Sequence, residues 1–317
     1  MPACRVSADS LKKGMEPEIV AKTRPETSPE AGGRWIPWAV VGVAVAVFWP
    51  VTRWIVEETV ARSQIRQGCS ILIMATGVVA WRHRRELRVR GDLGNTALGL
   101  LTLAFALVGA AGFLKWSLLV LPGFAFALAG GLRVLFGVNG YRLFRPLVAG
   151  FAVLLVIILA FPLLDWPLRQ LAGGGAAWML NVAHIAPRLT LAGTPADPQL
   201  ILTVSGQNFL VATECNGFGL ITSAALVAIL AGGISGRRGW VVAALVPVAL
   251  LTGFAANVAR ILVISLSAPY FPGRYHEMHE VVGTLALWAG LGLVGWLAWR
   301  PVADTPVRAG NPKQDLG

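Results

Sequence analysis

The sequence predicts an all-α polytopic membrane protein with about eight transmembrane helices and a small extracytoplasmic insertion formed by a β-hairpin and an interfacial helix. Three observations support this fold class. Hydrophobic residues make up 56% of the 317-residue chain, compared with roughly 45–50% in soluble domains. The mean hydropathy is +0.66. Charged residues make up only 14% of the chain, and the basic ones sit in short clusters between apolar runs.

Eight apolar runs are candidate spans, because a spanning helix needs about 20 mostly apolar residues. They are 35–55, 66–82, 94–113, 116–133, 145–164, 216–234, 239–267 and 281–299. The first five form a region at 35–164, and the last three form a second region at 215–299. Residues 1–34 are polar and mixed in charge, which favours a cytoplasmic tail over a cleavable signal peptide. Residues 300–317 are predicted to form a second cytoplasmic tail.

The basic residues predict the orientation in the membrane. A net charge of +11 would also suit a nucleic-acid-binding protein, but these residues form no stripe or tail. Clusters at 81–90, 141–145 and 236–239, together with Arg300, follow alternate predicted spans, as expected for cytoplasmic loops. We therefore predict a multi-pass protein of the cell membrane with both termini in the cytoplasm, the lipid bilayer as a partner and no nucleic-acid partner.

The longest predicted extracytoplasmic connection is 165–214. Its first part, DWPLRQLAGGGAAWMLNVAHIA, is typical of an interfacial amphipathic helix. Its second part, LILTVSGQNFLVAT, contains two β-rich runs around a Ser-Gly-Gln-Asn turn signal, which predicts a hairpin. The second strand of this hairpin leads directly into Glu214 and Cys215.

Three reactive side chains are predicted to converge at the extracytoplasmic face. Cys215 begins the sixth span, and His279 precedes the eighth. Arg260 lies seven residues before the end of the seventh span, about 10 Å deep at a rise of about 1.5 Å per residue. A charge at that depth is costly unless it is paired or faces a polar cavity, so it indicates a functional site.

These residue types suit acyl transfer. A thiol is mostly protonated at neutral pH, and a nearby cation favours the nucleophilic thiolate. Histidine can carry the proton to a leaving amine, and arginine can stabilise an oxyanion. Asn257 lies on the same helix face as Arg260 and is a supporting candidate. Glu214 is another: it is either a carboxylate at a helix N-terminus or a partner for Arg260 or His279.

At these residues the chain resembles the exosortase/archaeosortase family of membrane cysteine transpeptidases. The resemblance rests on Cys215-Asn216-Gly217, on Asn257-Val-Ala-Arg260 and on His279-Glu-Val-Val-Gly283, in that order. A common family form has serine after the cysteine, where this chain has Asn216. The resemblance implies that Cys215, Arg260 and His279 are catalytic. It also implies substrates that are exported proteins ending in a sorting motif, a transmembrane helix and a basic tail. These would be cleaved through a thioester, with hydrolysis or transfer to an envelope acceptor left open.

Other interpretations remain. In a transporter, Arg260, Glu214 and His279 would bind an anion or relay protons, whereas in a non-enzymatic envelope-assembly protein the cysteine would be dispensable. His276 competes with His279, which is preferred because it matches the H-x-x-x-G pattern. The stretch HEMH is one residue short of the H-E-x-x-H zinc motif, so no metal or other cofactor is predicted. Cys4 and Cys69 are predicted to be structural.

Overall fold

A computed structural model describes residues 35–89, 91, 93–194, 197–271 and 273–300, without the side chains of Asp197, Glu214, Tyr275 and His276. The two predicted tails, 1–34 and the part of 300–317 beyond Arg300, lie outside the described residues. Eight α-helices and a three-stranded sheet make up most of the described chain. The helices are α1 Ile36–Val47, α2 Trp49–Ala61, α3 Ser63–Arg82, α4 Asn95–Leu114, α5 Val120–Val182, α6 Phe218–Ile234, α7 Gly239–Ser267 and α8 Tyr275–Trp299.

The polytopic helical class is confirmed, whereas the count of eight spans is not. Within the described chain, four helical stretches are long and apolar enough to cross a membrane, or five if α1 and α2 form one bent span. The predicted span 35–55 is broken at Phe48, where the axes of α1 and α2 differ by 58°. The predicted span 66–82 lies in α3, which is not among these candidate membrane spans. The first turns of α3 carry the polar residues Gln64, Arg66 and Gln67.

The predicted fourth and fifth spans are joined in α5. The expected loop between them is helical, with a single non-helical residue at Gly137, where φ is 66° and ψ is −170°. The helix then continues through Pro162 and Pro167 into the segment that was expected to form a separate interfacial helix. Proline lacks an N–H group and disturbs the helical hydrogen bonds locally, but packing against neighbouring helices can hold the helix together.

The insertion contains the predicted hairpin and one further strand. Strands β1 (Arg188–Thr194), β2 (Asp197–Val204) and β3 (Gln207–Leu210) form an antiparallel sheet in the order β1-β2-β3. Ser205 and Gly206 connect β2 to β3 with φ values of 49° and 82°, as in the two-residue turns that suit twisted hairpins. Gly173 lets the sheet approach α5 closely, since a Cβ there would lie 2.8 Å from Leu200.

Helix α6 lies at the centre of the bundle. It contacts α3, α5, α7 and α8, and small residues line much of its length. Small residues are typical of helix interfaces in membranes, because they allow the backbones to approach closely. The N-terminal end of α6 is therefore fixed among several helices, and Cys215 lies just before it.

Candidate active site

Three elements bring the predicted reactive side chains together. Cys215 ends a short 3-10 turn, Thr213–Cys215, that precedes α6, while Arg260 lies on α7 and His279 on the first turns of α8. The Sγ atom of Cys215 is 3.6 Å from Nε2 of His279. The Nη2 atom of Arg260 is 2.8 Å from the same Nε2 atom. Residues separated by up to 64 positions in the sequence thus form one cluster.

The contact between Arg260 and His279 indicates the state of the imidazole. A guanidinium group has only donors, so Nε2 of His279 accepts the hydrogen bond with its lone pair. The imidazole in this arrangement is neutral, with its proton on Nδ1. The same Nε2 atom faces the sulfur, so it is the atom able to take the thiol proton once Arg260 turns its donor elsewhere.

The backbone of Cys215 is held by Asn257. The Nδ2 group of Asn257 donates a hydrogen bond of 2.8 Å to the carbonyl oxygen of Cys215, and Asn257 is fully buried. Gly217 makes this contact possible, since a Cβ there would lie 2.8 Å from Cγ and Nδ2 of Asn257. Gly217 also has φ of 79°, in the left-handed region that favours glycine. Its missing side chain therefore accommodates Asn257 as well as leaving room beside the thiol.

A second group of polar residues fixes the chain on both sides of Cys215. Asn216 is fully buried, and its Nδ2 group donates to Oδ1 of Asp165 at 2.6 Å, while its Oδ1 atom accepts from the N–H of Phe218 at 2.7 Å. Arg169, one turn along α5, donates to both carboxylate oxygens of Asp165 and to the hydroxyl of Thr213. Asn216 thus links the turn that contains Cys215 to α5.

Sequence reasoning missed Asp165 and Arg169. They were assigned to an interfacial helix, although their spacing of four residues is that of an ion pair on one helix face. That spacing was the available signal. It did not reveal the partner, because Asn216 lies 51 residues further along the chain.

Gly283 belongs to the H-x-x-x-G pattern and contacts the arginine. A Cβ at Gly283 would lie 3.3 Å from Nε of Arg260, closer than most real contacts of this kind. The absence of a side chain therefore lets the guanidinium lie against α8, one turn away from His279.

The cluster opens into a cavity of about 1210 Å³. Cys215, Arg260 and His279 all line it, so the sulfur has access to a space large enough for a peptide segment. The wall also includes the polar residues Gln64 and Gln67 of α3, Thr284 of α8 and all four residues of β3.

The remaining candidates have different outcomes. The side chains of Glu214 and His276 lie outside the described structure, so their roles stay predictions, and Cys4 lies outside it entirely. Cys69 is half-buried on α3, and its Sγ atom is 3.3 Å from the hydroxyl of Thr59. Cys69 is not among the residues that line the cavity, and its structural role stays a prediction.

Comparison with known families gives a match over most of the chain. A family model described as transmembrane exosortase (Exosortase_EpsH) matches residues 54–296, well over half of the 317-residue chain. The matched region contains all three residues of the cluster. No match was found among curated proteins or among solved structures.

Proposed function

The chain belongs to the transmembrane exosortase family, and from that premise we propose that it is a membrane cysteine transpeptidase acting on the C-terminal sorting signals of exported proteins. Its substrates would end in a sorting motif, a transmembrane helix and a basic tail. The observation that carries the proposal is the cluster itself. At the wall of a peptide-sized cavity, the thiol sulfur of Cys215 lies 3.6 Å from Nε2 of His279, and Nη2 of Arg260 lies 2.8 Å from the same nitrogen.

The first half-reaction forms a thioester. Nε2 of His279 takes the thiol proton of Cys215, and the sulfur attacks the carbonyl carbon of the scissile peptide bond. The carbonyl oxygen gains negative charge, which Arg260 stabilises by moving a donor from His279 to this oxygen. The C–N bond then breaks, and His279 gives its proton to the leaving amine, which departs with the substrate's transmembrane helix.

The second half-reaction releases the exported protein. An acceptor amine, another acceptor nucleophile or water attacks the thioester carbon and loses a proton to His279, and the C–S bond breaks. Cys215 recovers its proton, so the enzyme is unchanged after one cycle. With an amine acceptor the result is transpeptidation, and with water it is hydrolysis.

We further propose that the site faces the extracytoplasmic side of the cell membrane, with both termini in the cytoplasm. Cys215 lies at the start of α6 and the basic stretch 236–239 follows its end, so about 25 Å of helix separates them. Nε of Arg237 donates to the carbonyl oxygen of Ala298 at 2.7 Å, so this basic loop lies beside the end of α8 and near Arg300. Basic clusters at one end of neighbouring helices support a cytoplasmic assignment for that end.

Replacement of the nucleophile tests the proposal. In the host cell, Cys215→Ala should cause exported proteins with a C-terminal helix and basic tail to accumulate as uncleaved precursors, measured by quantitative mass spectrometry. Cys69→Ala is the matched control, because Cys69 is a free thiol outside the cavity. Normal processing in the Cys215→Ala strain would exclude the transpeptidase reading and favour a transporter or assembly role.

Hydroxylamine provides a direct chemical test. It attacks thioesters, so purified wild-type enzyme incubated with an accumulated precursor should release the precursor's N-terminal part as a hydroxamate. The Cys215→Ala variant should release none. Equal release from both proteins would mean that another group carries the acyl chain.

A further inference from the structure

Strand β3 forms one wall of the cavity that contains Cys215. All four of its residues, Gln207–Leu210, line this space, whereas the described residues of β1 and β2 do not. Side chains alternate between the two faces of a strand, so a cavity lying against a face would be lined by every second residue. Lining by consecutive residues of one strand indicates that the cavity lies along the edge of the sheet.

The backbone groups at this edge point away from β2. The N–H of Val211 donates to the carbonyl oxygen of Leu200 at 2.8 Å, which continues the register of β2 with β3. Hydrogen-bonded pairs alternate in an antiparallel ladder, so the residues at 207, 209 and 211 direct their N–H and C=O groups to β2. Asn208 and Leu210 direct theirs outward. Within the described chain, no hydrogen bond reaches the outward backbone groups of these two residues.

An unpaired strand edge is a template for another strand. Its N–H and C=O groups pair with an extended peptide whose own groups have the matching spacing. In most proteins an exposed edge is blocked by charge, proline or a covering segment. The sequence of β3, Gln-Asn-Phe-Leu, contains neither charge nor proline, and the side chain of Leu210 is 48% exposed.

We propose that the sorting peptide binds by adding a strand to the outer edge of β3, pairing with the backbone of Asn208 and Leu210. This inference rests on the proposed function and specifies how that function selects its substrate. The occupant is the extended segment of the exported protein next to the scissile bond. Backbone pairing recognises extended conformation rather than side-chain identity, so the cavity-lining side chains select the motif.

The position of β3 in the chain, shortly before Cys215, means that this pairing would also position the peptide for reaction. Cys215 lies only five positions after Leu210, and the turn that leads to it is held by Arg169 and Asn257 through Thr213 and the Cys215 carbonyl. A peptide fixed to β3 is therefore fixed relative to the sulfur. Holding a reactant in place in this way removes much of the entropic cost of the attack.

Proline at position 210 tests the pairing. Leu210→Pro removes the outward N–H and leaves the ladder bonds to β2 intact, as proline at a sheet edge does. We expect precursor processing to fall at least tenfold, because one backbone hydrogen bond is lost and the proline ring blocks the approach of the new strand. Leu210→Ala keeps the N–H but removes a cavity-lining side chain, so we expect it to lower processing several-fold less than Leu210→Pro does.

Leu191→Pro is the matched control at the other edge of the sheet. Leu191 is 66% exposed and pairs with Leu200 in register, and its N–H points away from β2 by the same alternation. Asn208→Pro is a second variant with an outward N–H, expected to behave like Leu210→Pro. Alkylation of Cys215 by iodoacetamide reports whether each variant keeps an intact site.

The outcomes separate this inference from the proposed function. Strand addition is supported if Leu210→Pro and Asn208→Pro lose precursor processing while Leu191→Pro processes precursors normally. Cys215 must also be alkylated normally in all three variants. If both β3 variants process precursors at the wild-type level while Cys215→Ala blocks processing, strand addition is overturned. The proposed transpeptidase function is then unaffected. Loss in Leu210→Ala as large as in Leu210→Pro also overturns it, since the side chain would then be responsible. Processing that persists in Cys215→Ala overturns the proposed function itself.

Discussion

Helices α4 and α6 are both uninterrupted apolar helices, but they occupy opposite environments. In α6, most residues are buried among four other helices, including Thr222 and Ser223. In α4 only Ala97, Leu101, Ala104 and Ala111 are buried, and Phe113 is 89% exposed. The difference shows that hydropathy does not identify the interior of this protein. Lipid tails are as apolar as leucine, so close packing of small residues and fixed polar groups mark the interior instead.

The contrast extends to the ends of these helices. The polar network of Asp165, Arg169, Asn216 and Asn257 holds the turn that begins α6. No comparable polar network is described at either end of α4. The region around α6 should therefore respond strongly to small changes, and the peripheral helices should tolerate them.

Among substitutions that keep the Cys215 thiol, the largest effect is expected for Arg260→Lys. Lysine keeps the charge but loses the planar set of donors with which Arg260 contacts His279 and which, in the proposed mechanism, would turn to the developing oxyanion. We expect the turnover rate for precursor cleavage to fall roughly 10²–10³-fold, as when a donor to an oxyanion is removed. Arg133→Lys on α5, where the guanidinium lies 6.0 Å from the ring of Tyr141, is the control. An equal loss in both variants would mean that Arg260 contributes to folding alone.

Gly217→Ala should have the next largest effect. The new Cβ would meet Asn257 at 2.8 Å on a backbone with φ of 79°, so the Cys215 turn has to move. A displacement of about 1 Å at a nucleophile can lower the rate about 100-fold. Gly99→Ala on α4 adds a methyl group with nothing within 4 Å and should leave cleavage unchanged. Cleavage by Gly217→Ala at the wild-type rate would mean that the start of α6 tolerates an added methyl group as well as α4 does, contrary to this comparison.

Asp165→Asn tests the link between α5 and the turn that contains Cys215. The amide loses the charge that Arg169 pairs with and presents a donor where a carboxylate accepted, so Asn216 is held less firmly. We expect about a tenfold lower turnover rate with little change in KM, together with an altered rate of Cys215 alkylation. The control is Glu57→Gln, which breaks an exposed ion pair with Arg53 of the same four-residue spacing. A change in KM alone would indicate that Asp165 contacts substrate instead.

The smallest effect is expected for Gly283→Ala. Its Cβ would lie 3.3 Å from Nε of Arg260, a distance that a flexible side chain can relieve by moving a few tenths of an ångström. We expect a threefold to tenfold lower cleavage rate, as for the loss of about one hydrogen bond. Gly292→Ala, on the same helix with nothing within 4 Å, should match the wild type. Equal rates for both variants would show that Arg260 has more freedom against α8 than its close contact indicates.

The parts of the site that were predictable have local signals. The family pattern marked Cys215, Arg260 and His279, and Asn257 follows from its spacing to Arg260. The hairpin was predictable because its turn requires residues that accept positive φ, and Ser205-Gly206 provides them. Asp165 was not predictable as a partner of Asn216, because nothing in a short window relates residues 51 positions apart.

The helix boundaries in the first region were the least predictable. Hydropathy divided α5 into two spans and an interfacial helix, whereas the structure keeps them helical across Gly137, Pro162 and Pro167. It also made one span of α1 and α2, which are bent by 58°. Hydropathy measures the transfer of residues to lipid. Whether a helix bends or continues depends on the contacts of its neighbours.

The sequence by itself determined that this protein is a helical membrane protein with a thiol, a guanidinium and an imidazole on its last helical elements. Composition fixes the first property, because a helix satisfies its own backbone hydrogen bonds and can therefore enter lipid. Only the tertiary structure decided that α6 is the central helix, that Asp165 supports the turn containing Cys215 and that β3 lines the cavity. Those properties arise from contacts between distant segments, which depend on how the helices cross and on which small residues let them approach.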